Sequence, residues 1–267
     1  MESINPLLLE AADWWQKNFV FDYVRYLIAA TVMTLVLLIF MPWLRQRKIQ
    51  KRHAKFSDRR REFLASTMTA AIFAVNGTMI YFGSKVGIFH INQEPITNIW
   101  FLLLEIAAVL VIHDAYFYWA HRAMHHPRLY NIFHKLHHRS VTPTPWAAYA
   151  FAAPEAFVEA AIMPLMLLVF PLHDVVVLSF MTFMIIRNVI GHSGYEIFPR
   201  WWLNSKWLSW INVNTHHDLH HSTFNYNFGL YFRWWDKWMG TEHPQYEARF
   251  HEVVSQKERL APSPAAE

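Results

Sequence analysis

The chain of 267 residues contains no cysteine. That absence excludes a disulfide framework, a thiolate metal site, a cysteine nucleophile and a cysteine-ligated iron–sulfur cluster. Glycine is scarce too. The seven glycines, at positions 77, 83, 87, 191, 194, 229 and 240, never form GxG, so neither a Rossmann fingerprint nor a P-loop cradle is present. Asp, Glu, Lys and Arg make up only 16% of the chain, against about 25% in an average soluble domain. In their place stand 54% hydrophobic and 17% aromatic residues, a content that excludes a disordered chain. The length allows one or two domains. Seventeen histidines are present, so redox chemistry in this chain requires a metal, with electrons supplied from elsewhere.

The apolar residues fall in runs. Residues 26–44 and 63–84 hold no charge over 19 and 22 positions, and 96–120 carries only Glu105, His113 and Asp114. Each run is long enough to cross about 30 Å of hydrocarbon as a helix. Residues 160–172 and 175–186 are shorter, with Pro171 and Asp174 between them, and suit a re-entrant or tilted hairpin better than two full spans, the choice being left open. Residues 7–23 read as an interfacial amphipathic helix with an aromatic anchor. The opening 25 residues begin with acid and lack a basic stretch, so no secretory signal is expected.

Orientation follows from residues 45–61, which hold nine Lys or Arg and one Asp, a net +8 within a chain of net +4. Such a loop between two spans stays cytoplasmic. Its expected partner there is lipid headgroups, and no nucleic acid. A third span then returns to the same side near His121, and a hairpin over 156–190 starts and ends there. Every histidine cluster lands on that face.

The clusters have helical spacing. HRAMHH begins at His121, with His125 four residues on; HKLHH holds His134, His137 and His138; HDLHH holds His217, His220 and His221. Positions i, i+3 and i+4 share one helix face, so each cluster can aim two or three imidazoles at one place. His192 follows Asn188 by four in NVIGH. His126 and His216 neighbour cluster members but face away if His125 and His217 face inward. His53, His90, His173, His243 and His251 read as ordinary solitary histidines, and His113 as a supporting or interfacial residue. Nine imidazoles exceed one zinc, HExxH is absent, and calcium and magnesium prefer oxygen. Imidazole suits iron, copper, nickel and zinc, and nine or ten nitrogens divide between two ions. A dinuclear iron site would let a chain without flavin, haem or cysteine activate oxygen. Asp114, Glu155, Glu196, Asp218 and Asp236 are candidates to hold the outward imidazole nitrogens.

At HRAMHH, HKLHH and HDLHH the sequence resembles the membrane-bound fatty acid hydroxylase/sterol desaturase superfamily. Supporting segments are HDAYFYWAHR, TPTPWAAYA, NVIGHSGYE, NYNFG and WWDKWMGT, over about residues 96–242. The resemblance implies an all-α fold: an integral membrane helical bundle with a cytoplasmic helical cap carrying a histidine-rich dimetal site. It implies two iron ions with O2 as cosubstrate, acting on a C–H bond of a sterol, sphingolipid or fatty acyl chain by hydroxylation or desaturation. By motif position it carries metal ligation onto His121, His125, His134, His137, His138, His192, His217, His220 and His221. A one-longer spacing would substitute His126 for His125, and Asn188 falls where relatives place a ligand or a water-mediated contact. One departure stands at FAAPEA, 151–156: many sterol-type relatives have a histidine near this step, and Ala152 and Ala153 cannot ligate.

The expected organisation is an N-terminal region, 1–95, with the interfacial helix, two spans and the basic loop; a catalytic domain, 96–251; and a loose polar tail, 252–267. The partners are a bilayer lipid as substrate and an external donor such as a ferredoxin, rubredoxin or b-type cytochrome, in a bacterial inner membrane or endoplasmic reticulum. The alternative classes are a zinc-dependent membrane hydrolase and a histidine-rich metal transporter. Transporters place ionisable ligands near the bilayer midplane, whereas these clusters fall in polar segments such as HHPRLYNIFHKLHHRS.

Overall fold

In the computed structural model, which describes residues 5–259, Asn5 starts the first helix by accepting the Leu7 amide at 2.9 Å, with Pro6 in the first helical position as that position favours. The helix, α1 (Pro6–Ile39), runs 34 residues without a break. The interfacial segment expected at 7–23 and the first span are therefore one element. The charges that seemed to separate them, Asp22 and Arg25, bond to each other one turn apart, so the helix continues past them. Pro42 stops it, because a proline cannot donate to the carbonyl four residues back. A single turn, α2 (Met41–Leu44), and the basic loop follow. Asp58 then accepts the Lys55 amide at 3.0 Å to open α3 (Phe56–Lys85).

From there the chain alternates between two ends. The turn after α3 holds β1 (Ile91–Asn92), which pairs in parallel with β2 (Leu172–His173). The helix α4 (Ile99–Met124) returns to the end where the basic loop lies, followed by the short α5 (Pro127–Phe133) and α6 (Lys135–His138). Helices α7 (Ala153–Val169) and α8 (Asp174–Gly191) form the hairpin. The cap is completed by α9 (Asn214–Thr223), α10 (Trp234–Trp238) and α11 (Tyr246–Arg259). Four helices, α1, α3, α4 and α8, are long and apolar enough to cross a membrane. The fold is thus an all-α membrane bundle whose only strands, among the described residues, are the two-residue pair.

Residues 252–259 are not the start of a loose tail: they continue α11, with Val253 and Val254 buried in the cap core beside Leu203, Val213 and Phe250. The remainder of the expected tail, 260–267, and residues 1–4 lie outside the described residues.

Packing in the bundle is close, and several of its main-chain carbonyls meet side-chain donors. A Cβ at Gly77 of α3 would stand 3.0 Å from the Asn18 side chain of α1, so glycine there lets the two helices approach. Tyr26 and Ser66 both donate to the Trp146 carbonyl at 2.9 Å, tying α1 and α3 to the turn at Pro145–Tyr149. Pro164 lies inside α7 and cannot bond the carbonyl of Ala160. Asn76 of α3 supplies the missing donor, at 3.1 Å. In an apolar interior an unpaired carbonyl costs about 1–3 kcal/mol. The replacement Asn76→Ala should therefore destabilise the purified protein by that order, read as a lowered thermal midpoint.

Candidate metal centre

Three short helices and two helix ends converge at one end of the bundle. The last turn of α4 presents His121, and His125 caps its end. His134 stands between α5 and α6, with His137 and His138 on α6. His192 caps α8, and His217, His220 and His221 lie on α9. These nine form two groups: His121, His125, His134, His138 and His220 in one, and His137, His192, His217 and His221 in the other. Within each group the nitrogens lie within 4.8 Å of one another.

Each HxxHH segment serves both groups. Its first and last histidines, four apart, go to one group, and the i+3 histidine goes to the other. On a helix, i and i+4 differ by about 40° whereas i+3 and i+4 diverge by about 100°, so one box splays across two points.

The contacts run through Nε2. His125, His138 and His220 form a triangle with Nε2 separations of 3.0, 3.0 and 3.2 Å. Each such nitrogen carries one hydrogen or one lone pair, so three mutual contacts cannot all be hydrogen bonds. Three lone pairs around one cation resolve the conflict. An ion about 2.1 Å from each nitrogen sets neighbouring ligands at right angles about 3.0 Å apart, and tetrahedral ones about 3.4 Å apart. The second group spans the same range: His217 to His192 and His221 at 3.1 Å, and His192 to His137 at 3.4 Å. The donor sets fit an imidazole-binding transition metal such as iron or zinc.

Backbone carbonyls orient several of the rings. Nδ1 of His121 donates to Phe228 O at 2.9 Å, that of His192 to Asn188 O at 2.9 Å, and that of His220 to Tyr226 O at 2.7 Å. Each bond leaves a lone pair on Nε2 facing inward. Burial, followed by the neighbouring imidazoles, holds His134, His217 and His221 well below the ordinary histidine range. Burial, with a smaller contribution from Arg187, brings His192 down to about 4. The rings are neutral near pH 7, as metal ligation requires.

Among the five carboxylate candidates, Glu155 is the one that touches an imidazole of the nine: its Oε1 lies 2.5 Å from His134 Nδ1. The others act at one remove. Asp114 accepts the amides of Tyr231 and Phe232 at 2.8 and 3.2 Å and the Trp234 indole at 2.8 Å. Asp236 accepts the Phe228 and Gly229 amides, both at 2.8 Å. Together they pin the loop whose carbonyls meet His121 and His220. Glu196 accepts the Thr215 amide and hydroxyl at 2.8 and 2.6 Å, fixing the start of α9. Asp218 accepts from Gln50 of the basic loop at 2.9 Å. Of the candidate carboxylates only Glu155 holds an outward nitrogen of the nine, while main-chain carbonyls hold three, those of His121, His192 and His220. The loop needs special backbone. Phe224 and Asn227 adopt φ of 67° and 60°, and a Cβ on Gly229 would stand 2.5 Å from the Phe232 carbonyl.

The alternative ligand His126 is exposed and caps α5, accepting the Arg128 amide at 3.3 Å, so His125 occupies the site in its place. Asn188 meets His192 through its main-chain carbonyl. His216 points out of the site, its Nε2 3.3 Å from Asp236, and His113 contacts the Tyr231 hydroxyl at 2.9 Å. The solitary histidines His53, His90, His173, His243 and His251 belong to neither group. Two contributors carried no sequence signal: Gln50, which bonds Asp218 and the Val141 carbonyl, and Arg187, whose Nη2 donates to Asn212 O at 2.7 Å.

The division predicts separable losses. His221→Ala should lower the metal bound per chain while sparing what the group of five holds, and His126→Ala should leave it unchanged, both measured by elemental analysis of the purified protein.

A family model described as fatty acid hydroxylase matches residues 106–241, half of the chain. A lathosterol oxidase of Rattus norvegicus is 35% identical over 144 residues, covering 54% of this chain and 46% of that protein. A delta(7)-sterol 5(6)-desaturase of Gibberella zeae is 28% identical over 242 residues, covering 89% and 64%. A methylsterol monooxygenase of Aspergillus fumigatus is 34% identical over 161 residues, covering 57% and 52%. The chain spans about half the length of most of these curated relatives. No solved structure matches it.

Proposed function

The chain belongs to the fatty acid hydroxylase/sterol desaturase superfamily, and from that premise we propose that it is a membrane-bound, di-iron, O2-dependent oxidoreductase acting on a C–H bond of a lipid. The observation that carries this reading is the pair of neutral, inward-facing Nε2 clusters at the cap end of the membrane helices. Two iron ions held by the group of five and the group of four would activate dioxygen with electrons from an external donor. The chain's own residues do the rest. The carbonyls of Tyr226, Phe228 and Asn188 set the imidazole tautomers, and Glu155 orients His134.

Substrate access is supported by a cavity of about 220 Å³ between α1, α3, α7 and α8. Its walls are largely apolar, including Phe73, Met163, Phe180 and Met184. One part is polar: the paired Asp22 and Arg25, Tyr149 and Glu159. Arg25 Nε and Nη1 and the Tyr149 hydroxyl are buried without partners, so an oxygen function on a lipid would satisfy them. From this cavity the Phe151 ring leads to the site, 6.4 Å from the Tyr149 ring and 5.2 Å from that of His137. Glu159 lies one turn from Glu155 along α7, about 6 Å. The lipid would enter from the bilayer, and sterol-type compounds are the first to screen because the three relatives are named for them. The basic loop packs on the histidine-bearing loops, Ile49 donating to Gly194 O at 3.1 Å. This supports a site on the cytoplasmic face.

The test is metal analysis followed by turnover. About two irons per chain, with a sterol product formed only when O2 and a reductant are present, is the expected result. Zinc that persists after expression in iron-rich medium, with no oxygen-dependent product after iron loading, would sink the proposal. A cavity-filling change gives a further check. Met184→Trp should raise KM or lower kcat at least tenfold while leaving the bound iron unchanged.

A further inference from the structure

A second cleft, separate from the membrane cavity, lies where the spans meet the cap. It is about 210 Å³. One wall is apolar and comes from the end of α1, with Leu37, Leu38 and Met41, and from Trp146. The opposite wall carries Lys48, His53 and Arg59, and among the described residues no carboxylate lines the cleft. Lys48 donates to the Arg52 carbonyl at 2.7 Å and approaches His53 Nδ1 at 2.8 Å. Among the described residues, neither Lys48 nor Arg59 enters an ion pair with an acid. Of the acids close to Arg59 on α3, Asp58 pairs with Arg61, and Glu62 is buried and takes the Thr144 hydroxyl at 2.5 Å.

The division has a direction. The uncharged run of α1 and α2 ends at Leu44, and Arg45 is the first charge beyond it, so the boundary between hydrocarbon and water passes through the cleft. Partial burial pushes Lys48 below the ordinary lysine range, a penalty that an adjacent anion would offset. An occupant must therefore be anionic at one end and apolar at the other.

We propose that this cleft binds an anionic glycerophospholipid, its phosphate against Lys48, His53 and Arg59 and an acyl chain along Leu37 and Leu38. The site bears on the metal centre through the chain itself. The cleft's other walls are Thr142–Pro145, four residues past His138, and Ser193–Tyr195, directly after His192. Ser193 accepts from Asn214, the first residue of α9, at 2.9 Å. A bound headgroup would thus brace loops that hold both histidine groups.

The experiment uses the full chain in nanodiscs of phosphatidylcholine alone or with phosphatidylglycerol, reading retained lipid by native mass spectrometry and the thermal midpoint. The expected result is one phosphatidylglycerol per chain and a raised midpoint. The double variant Lys48→Gln/Arg59→Gln should weaken retention about thirtyfold, the loss expected for two cations at a membrane surface. The cleft-filling variant Ala54→Trp should lose it without any change of charge. The control Lys51→Gln/Arg60→Gln, which removes two exposed cations outside the cleft, should retain it. Equal loss in the control would overturn the site in favour of a diffuse cationic collar. A midpoint gain from inorganic phosphate matching that from phosphatidylglycerol would overturn the lipid assignment in favour of free anion.

Discussion

Nine imidazoles can be gathered at two points only if each ring presents a lone pair inward, and where Nδ1 gives its hydrogen to another acceptor that arrangement is fixed. This requirement shapes the cap. The carbonyls of Phe228 and Tyr226 serve His121 and His220, and they belong to a loop that regular structure could not provide, with two non-glycine residues at positive φ. Asp114 and Asp236 hold that loop by four amide bonds. Carboxylates placed directly on the rings would add negative charge to each site. Held one step away, Asp114 and Asp236 supply rigidity without touching the nine rings, and only Glu155 meets one of them directly.

The bundle serves the cap in a second way. α4, α7 and α8 each reach the site with a helix end, so His121, His192 and the anchor Glu155 sit on helix ends rather than on free loops. Two main-chain carbonyls in this apolar setting show how their polarity is met. The carbonyl freed by Pro164 meets Asn76, and the Trp146 carbonyl takes two hydroxyls. Such matching is obligatory where water is absent.

Much of this was legible in the residues. Uncharged runs gave the spans, because hydrocarbon tolerates few alternatives. The i, i+3, i+4 spacing marked the histidines as a group, because it is a property of the helix alone. Their division between two points was not legible, since it depends on how α6 and α9 face each other. The carbonyl acceptors were hidden for a plainer reason: a main-chain oxygen is the same at every position. Glu155 could be named as a candidate, but its four companions could not be told from it, all being acids close to a motif. At the amino end the pairing of Asp22 with Arg25 concealed the continuity of α1, and at the carboxyl end Val253 and Val254 were too few to signal a packed helix.

The length of α1 has its own consequence. Thirty-four residues make a rod about 50 Å long in a hydrocarbon layer of about 30 Å. Accommodating all of it by tilt would need an angle beyond 50°, past the usual range of about 0–40°. Part of the rod must stand clear of the layer on the face opposite the cap. There Glu10 meets Lys85 and Tyr81, and the Trp14 ring stacks on Tyr81 at 3.8 Å, clamping the projecting turns to the end of α3. The two helices are thereby clamped into one beam that runs from the projecting turns to the Trp146 carbonyl beside the cap.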